Sequence, residues 1–178
     1  MAQTAAQSRH AAQAGSLREF QQRLAARLTQ AQSGQIASHL AVEVGQRRLL
    51  LPLAESGEIA SNLNVQPLPH AKPWFLGVTV LRGQVVGVVD LAVMLGERQQ
   101  PTPSGTFVAL AENLEVNCLL RVDRLAGLRS LEQFKAGDSG QGGRGTLGRL
   151  FHDAQGAVWE ELSLAQLARD EQFLQIYS

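Results

Sequence analysis

Residues 74–91 read Trp74-Phe75-Leu76-Gly77-Val78-Thr79-Val80-Leu81-Arg82-Gly83-Gln84-Val85-Val86-Gly87-Val88-Val89-Asp90-Leu91, directly behind Pro73. Two apolar runs rich in β-branched residues flank Arg82-Gly83, so residues 77–81 and 84–89 are predicted to be the two strands of a hairpin. Trp74-Phe75-Leu76 reads as one tight turn behind the proline. Asp90 can cap a short helical turn over 91–95, which Gly96 ends. An arginine followed by glycine on a hairpin tip is exposed, and its planar fork can make directional contacts to carboxylates or carbonyls. From composition alone the plainer reading, a solvated turn arginine, is favoured, because most surface charges are no more than that.

On either side of the hairpin the same period of two recurs. Leu40, Val42 and Val44 alternate with Ala41, Glu43 and Gly45, Gly45-Gln46 suits a two-residue turn, and 48–53 returns as a strand. A less regular stretch, 55–64, holds a short strand around Ile59, and Pro67, Pro69 and Pro73 punctuate the next segment. Residues 97–104 (ERQQPTPS) are polar with two prolines and cannot continue a central strand, so they divide a first subdomain (36–96) from a second (105–178). Strands resume over 106–110, 114–122, 125–129, 146–151 and 158–162, around a glycine-rich stretch at 135–145. Ser163 with Gln166 opens a closing helix carrying Leu164, Leu167, Phe173 and Ile176. At the other end, 1–15 has no periodicity and reads as a flexible tail. Ser16-Leu17-Arg18-Glu19 is a capping box for a helix over 16–34 with one apolar stripe (Leu17, Phe20, Leu24, Leu28, Ala31). Such a stripe serves its own core or docks a partner, and the first use is the commoner. The sum is about ten short strands, in two groups of five, with a helix at each end. That is a mainly β protein of two small barrels rather than a doubly wound parallel sheet.

Composition removes several functions. Lys+Arg and Asp+Glu are both 16, a formal net charge of zero, so no basic field gathers phosphates, and aromatics at 5% offer little for base stacking. Nucleic acid is therefore not an expected partner. The greasiest stretch, 85–95, is short and carries Asp90, which argues against direct membrane insertion. The N-terminal residues lack the apolar core of a signal peptide, and the single cysteine, Cys118, suits a reducing compartment, so a cytoplasmic location is expected.

Chemistry-bearing motifs fare poorly. Gly137-Asp138-Ser139-Gly140 spells the surroundings of a chymotrypsin-like nucleophile, but none of His10, His39, His70 or His152 lies in the context that would activate it. Gly140, Gly142 and Gly145 match G-x-G-x-x-G without the strand before and helix after that a dinucleotide site needs. No spacing suits a metal, Cys118 lies in an apolar run as an inert core thiol, and adjacent acidic pairs such as Glu160-Glu161 point to opposite faces. No catalytic, metal or cofactor site is expected. A β-barrel module that binds a small ligand in a groove stays open as an alternative.

The hairpin segment resembles the chemotaxis coupling protein family of CheW. That family has a proline-rich approach, a stretch of the form F-x-x-G-V-x-N-L-R-G, and an apolar strand ending P-V-I-D-L. Gly77-Val78-Thr79, Leu81-Arg82-Gly83 and Val88-Val89-Asp90-Leu91 fall in register, while Val80 replaces the asparagine and Gly87 the proline. Glu58-Ile59 sits where the family has a Glu-Ile pair, and Leu120-Arg121-Val122-Asp123-Arg124-Leu125 is similar to its L-x-V-D-x-V segment. The resemblance covers roughly residues 40–176 and is strongest to members serving type IV pilus (twitching motility) systems. It implies two five-stranded SH3-like barrels and a non-catalytic adaptor, recruited to membrane receptor arrays. Such an adaptor joins the cytoplasmic tip of methyl-accepting receptors to the regulatory domain of a CheA-type histidine kinase, with self-association in arrays a further option; a flagellar output is the alternative to the pilus one. Carried over residue by residue, Arg82 becomes an adaptor contact with Glu58 its companion. Gly77, Leu81, Gly83 and Val85 shape the receptor-facing surface, and Asp123 is a structural turn residue. Val80 removes the hydrogen bonds that an asparagine would supply at the hairpin.

Overall fold

Eleven strands alternate with short turns in the computed structural model, which describes residues 36–102, 104–137 and 146–177. The expected tail, the expected helix over 16–34 and the motifs that include residues 138–145 lie outside the described residues. In chain order the strands are β1 (His39–Val44), β2 (Arg47–Pro52), β3 (Ser56–Ala60), β4 (Phe75–Leu81), β5 (Gln84–Asp90), β6 (Thr106–Leu110), β7 (Cys118–Val122), β8 (Arg124–Arg129), β9 (Lys135–Ala136), β10 (Leu147–His152) and β11 (Val158–Leu162). Among the described residues three short α-helices accompany them: α1 (Leu91–Met94), α2 (Leu164–Leu167) and α3 (Glu171–Leu174).

The protein is mainly β, as expected, in two sheets. One runs β8-β1-β2-β11-β10-β9 and the other β3-β6-β7-β5-β4. The strands do not sort by sequence half, however. β1 and β2 join β8–β11, and β6 and β7 join β3–β5, so each half of the chain builds into both sheets. The reason lies in strands buried on both faces, which need a neighbour on each side. Leu49, Leu50 and Leu51 of β2 are all buried, and β2 takes β1 antiparallel and β11 parallel. All five residues of β7 are buried, and β7 lies between β6 and a parallel β5. Continuous apolar runs are the signature of such central strands.

Three clusters fill the interior. Leu40, Val42, Leu49, Leu51, Val89, Leu91, Val108, Leu120, Val122, Leu162 and Leu164 form a core shared by both sheets. The alternate faces keep separate clusters: Ala41, Leu50, Phe151 and Trp159 on the six-stranded sheet, and Val86, Val88, Phe107 and Leu119 on the five-stranded one. Period-two alternation thus fills one core with one face and a second core with the other.

Local departures have local causes. β7 begins at Cys118 rather than at 114 because residues 112–114 form a 3-10 turn and Glu115 takes the left-handed conformation at φ 58°. The closing helix is broken in two. Ser163 caps α2 through Gln166 N–H at 3.2 Å, and Asp170 restarts the chain as α3, its carboxylate accepting from the Gln172 and Phe173 amides. β9, two residues long, is too short to show a period. Trp74 precedes β4 and Phe75 opens it, so the expected tight turn is one residue of turn and two of strand.

The polar segment 97–104 is anchored by charge. Asp90, with no solvent exposure, caps α1 at the Ala92 and Val93 amides and accepts from Arg121 Nη1 at 2.7 Å. Arg121 also donates to the Thr102 hydroxyl and the Ser104 carbonyl, and Arg98 donates to Asp123. Glu97 accepts from Arg47 of β2 at 2.6 Å, and Arg47 reaches Glu160 of β11 at 2.9 Å. The segment thereby ties the end of β5 to the six-stranded sheet.

Candidate protein-binding surface

The β4–β5 hairpin pairs in register up to Leu81↔Gln84, which leaves Arg82-Gly83 as a two-residue turn. Both have positive φ, 50° for Arg82 and 80° for Gly83, the conformation that right-handed strand twist selects for such turns. Glycine adopts it freely. For an arginine it costs roughly 1 kcal/mol, which asparagine would largely avoid. Arg82 therefore occupies a position where local stability argues against it.

Its side chain is 78% exposed and its Nη2 pairs with Glu58 Oε2. Glu58 lies on β3, the opposite edge of the five-stranded sheet. It is aimed there by a bulge, since the β3–β6 register shifts between Ser56 and Ile59. The ion pair thus joins the two edges of a sheet that curls on itself. A second closure lies below it, where Gln66 and Val78 exchange backbone hydrogen bonds of 2.7 and 2.9 Å. The seam of this barrel is fastened through the backbone of Gln66 and, at the Thr79 hydroxyl, of Asn64, with the exposed ion pair above them. Alongside β4 between them runs a groove of about 460 Å³, lined by Asn62, Asn64, Gln66, Val78, Val80 and Val85 among others.

The other residues singled out from sequence divide into surface and support. Val80 and Val85 are cross-strand partners, 65% and 64% exposed, with Ile59 exposed on β3. Val78, two residues before Val80, packs against the shared core, so the hairpin projects its distal half beyond that core. Gly83 is exposed at the tip, and Leu81 is half-buried against the cluster of the five-stranded sheet. Gly77 is buried, not surface: at φ 134°, a Cβ there would sit 2.6 Å from the Gln66 carbonyl carbon and 2.8 Å from Pro67 Cα. It lets the seam segment lie flat on β4. Gly87 explains its own departure from the family pattern. Its N–H donates to the Asn117 carbonyl at 3.0 Å, a bond a proline lacks, and the Phe75 ring lies 3.1 Å from where its Cβ would be.

Asp123 is structural, as expected. It accepts from the Gly45 amide at 2.7 Å and from Arg98 at 2.5 Å. Partial burial pushes its carboxyl up, but the Arg98 hydrogen bond, the Gly45 amide and the charges of Arg98 and Arg121 outweigh that and hold it below the ordinary value. Cys118 is buried, which pushes its thiol up to about 12. Among the described residues no three His, Cys, Asp or Glu side chains are placed to hold a metal, and no helix is long and apolar enough to cross a membrane. Sequence reasoning missed Asn64 and Gln66. Thr79 Oγ1 donates to the Asn64 carbonyl at 2.8 Å, and such backbone-mediated closures leave no residue-type signal.

The profile of the CheW-like domain matches residues 38–172 of the chain. The chain belongs to the CheW-like family. Protein PilI of Pseudomonas aeruginosa is 32% identical over 108 residues, 60% of this chain. The match spans 61% of the length of that relative. Among solved structures, the scaffolding protein TtCheW of Thermoanaerobacter tengcongensis superposes with a TM-score of 0.59 at 12% identity, over 71% of this chain and 89% of that one. This CheW-like chain therefore shares the fold of TtCheW, with the Arg82 hairpin and its seam on the five-stranded sheet.

Proposed function

We propose that this CheW-like protein is a non-catalytic adaptor that couples methyl-accepting receptors to a CheA-type histidine kinase, in a chemotaxis-like system controlling type IV pilus twitching motility. The observation that carries the reading is Arg82. An arginine is held in a left-handed turn at a local energetic cost, exposed on a projecting hairpin and flanked by two exposed valines. Function explains such a residue where stability does not. Family membership supports the adaptor role, and the likeness to PilI supports the pilus branch over the flagellar one.

The physics of the surface suits an adaptor. The hairpin is braced by the Gln66–Val78 backbone pair and by the Thr79 hydroxyl on the Asn64 carbonyl, so a partner meets a largely preformed face. The patch is small, which favours modest individual affinities made effective by neighbouring contacts in an array. For the small-ligand alternative, the cavity beside Trp74 and Phe173 measures about 280 Å³ and the open seam groove about 460 Å³, both in the lower part of the range for ligand sites.

Co-sedimentation tests the proposal. Vesicles carrying a methyl-accepting receptor from the same genome are mixed with the cognate CheA-type kinase, with and without this protein. The kinase is expected in the pellet only when the protein is present. Kinase recruitment that is unchanged by the protein would contradict the adaptor role.

A further inference from the structure

The outer edge of β4 carries hydrogen-bonding groups that the fold leaves unused. Val78 turns its N–H and C=O outward, where both meet Gln66. The β4–β5 register is unbroken from Gly77 to Leu81, so Val80, two residues on, presents its own N–H and C=O along the same edge. Neither group has a backbone partner there among the described residues. Unpaired edge groups are the template for adding a strand, and the chain already adds one extended residue, Gln66, to this edge. Next to Val80, the side chains of Val80 and Val85 offer apolar cover, and the seam groove of about 460 Å³ gives room beside the edge. At the upper end stands Arg82, whose Nη2 alone is engaged by Glu58, leaving guanidinium donors directed to solvent.

We infer that this edge receives an extended segment of the partner, which pairs with the Val80 backbone, places an aliphatic side chain over Val80 and Val85, and brings a carboxylate to Arg82. The inference rests on the hairpin being the partner-facing surface, and it adds the conformation and chemistry of what binds. Two features commit it to this occupant: the free donor and acceptor of Val80 call for another backbone, and the spare donors of Arg82 call for a negative group. A helix, whose backbone groups are satisfied internally, would leave the Val80 amide and carbonyl unpaired under the interface.

Proline at position 80 separates strand addition from simple contact. It removes only the outward N–H, a change that edge strands tolerate. Val80→Pro and Val80→Ala are titrated by calorimetry with the receptor cytoplasmic tip and with the kinase regulatory domain from the same genome, beside Arg82→Glu. The expected result is at least a tenfold loss of affinity for one of these partners with Val80→Pro and less than a threefold loss with Val80→Ala. Wild-type binding by Val80→Pro while Arg82→Glu fails to bind would overturn strand addition and leave the hairpin surface standing. Wild-type binding by both would overturn both. Should Val80→Pro not fold, amide exchange of the wild-type protein decides: the Val80 N–H is expected to become at least tenfold more protected in the complex, and an unchanged rate overturns the inference.

Discussion

Asp90 and Arg121 lie side by side on the parallel strands β5 and β7, their carboxylate and guanidinium 2.7 Å apart and both closed off from solvent. The pair sits at the end of the strand whose other end is the Arg82 hairpin, so it fixes the base of the element that carries the candidate site. Removing Arg121 leaves the buried Asp90 carboxylate with only its two cap amides and the more distant Arg98 guanidinium at 3.8 Å. Arg121→Met is expected to cost about 3–5 kcal/mol in urea unfolding. A loss below about 1 kcal/mol would show that the junction is held by other contacts.

Gly77 is required by backbone approach. Gly77→Ala is expected to destabilise the protein by roughly 1–3 kcal/mol, since it combines strain at φ 134° with a clash against Gln66 and Pro67. A thermal melt checks this, and an unchanged Tm would mean that the seam segment can move away without penalty.

Arg82 should show stability and function pulling apart. Arg82→Asn relieves the left-handed arginine, so stability is expected to hold or to rise by up to about 1 kcal/mol. Partner affinity is expected to fall. Destabilisation by more than about 1 kcal/mol would instead make the Glu58 bridge a structural clasp.

Asp123 gives a pH signature. Its folded pKa lies below the ordinary 3.8, so its contribution is present above that pH and is lost as pH falls through the folded value. Below about pH 4, wild-type stability is expected to decline more steeply than that of Asp123→Asn. Parallel declines in urea midpoints would remove Asp123 from the acid response.

Cys118 offers a probe of barrel integrity. With its thiol pushed up to about 12 and its side chain buried, the native protein is expected to resist alkylation at neutral pH and to react fully once unfolded. Rapid labelling of the native protein would show that this barrel opens readily.

Much of the fold was legible in the sequence. Gly45-Gln46 and Arg82-Gly83 are turns because two-residue hairpins need positive φ, and Asp90 and Ser163 cap the helices directly after them. The hidden part depends on non-local pairing. Nothing in Arg47–Pro52 says that its second neighbour is β11, more than a hundred residues later, since an apolar run demands partners without naming them. The site divides the same way. Arg82 and Glu58 stand out through their type and place in a motif, whereas Gly77 turned out to be support beneath the surface. The seam made by Asn64 and Gln66 works through backbone atoms, which every residue possesses.

The central claim is that the Arg82 hairpin is the face that partners grip. Titrating the receptor tip and the kinase regulatory domain into wild-type protein and Arg82→Glu tests it most directly, with both proteins melted in parallel. The expected result is at least a tenfold loss of affinity for one of the two partners, with stability changed by no more than about 0.5 kcal/mol, as for an exposed site. Wild-type affinity of Arg82→Glu for both partners would contradict the claim.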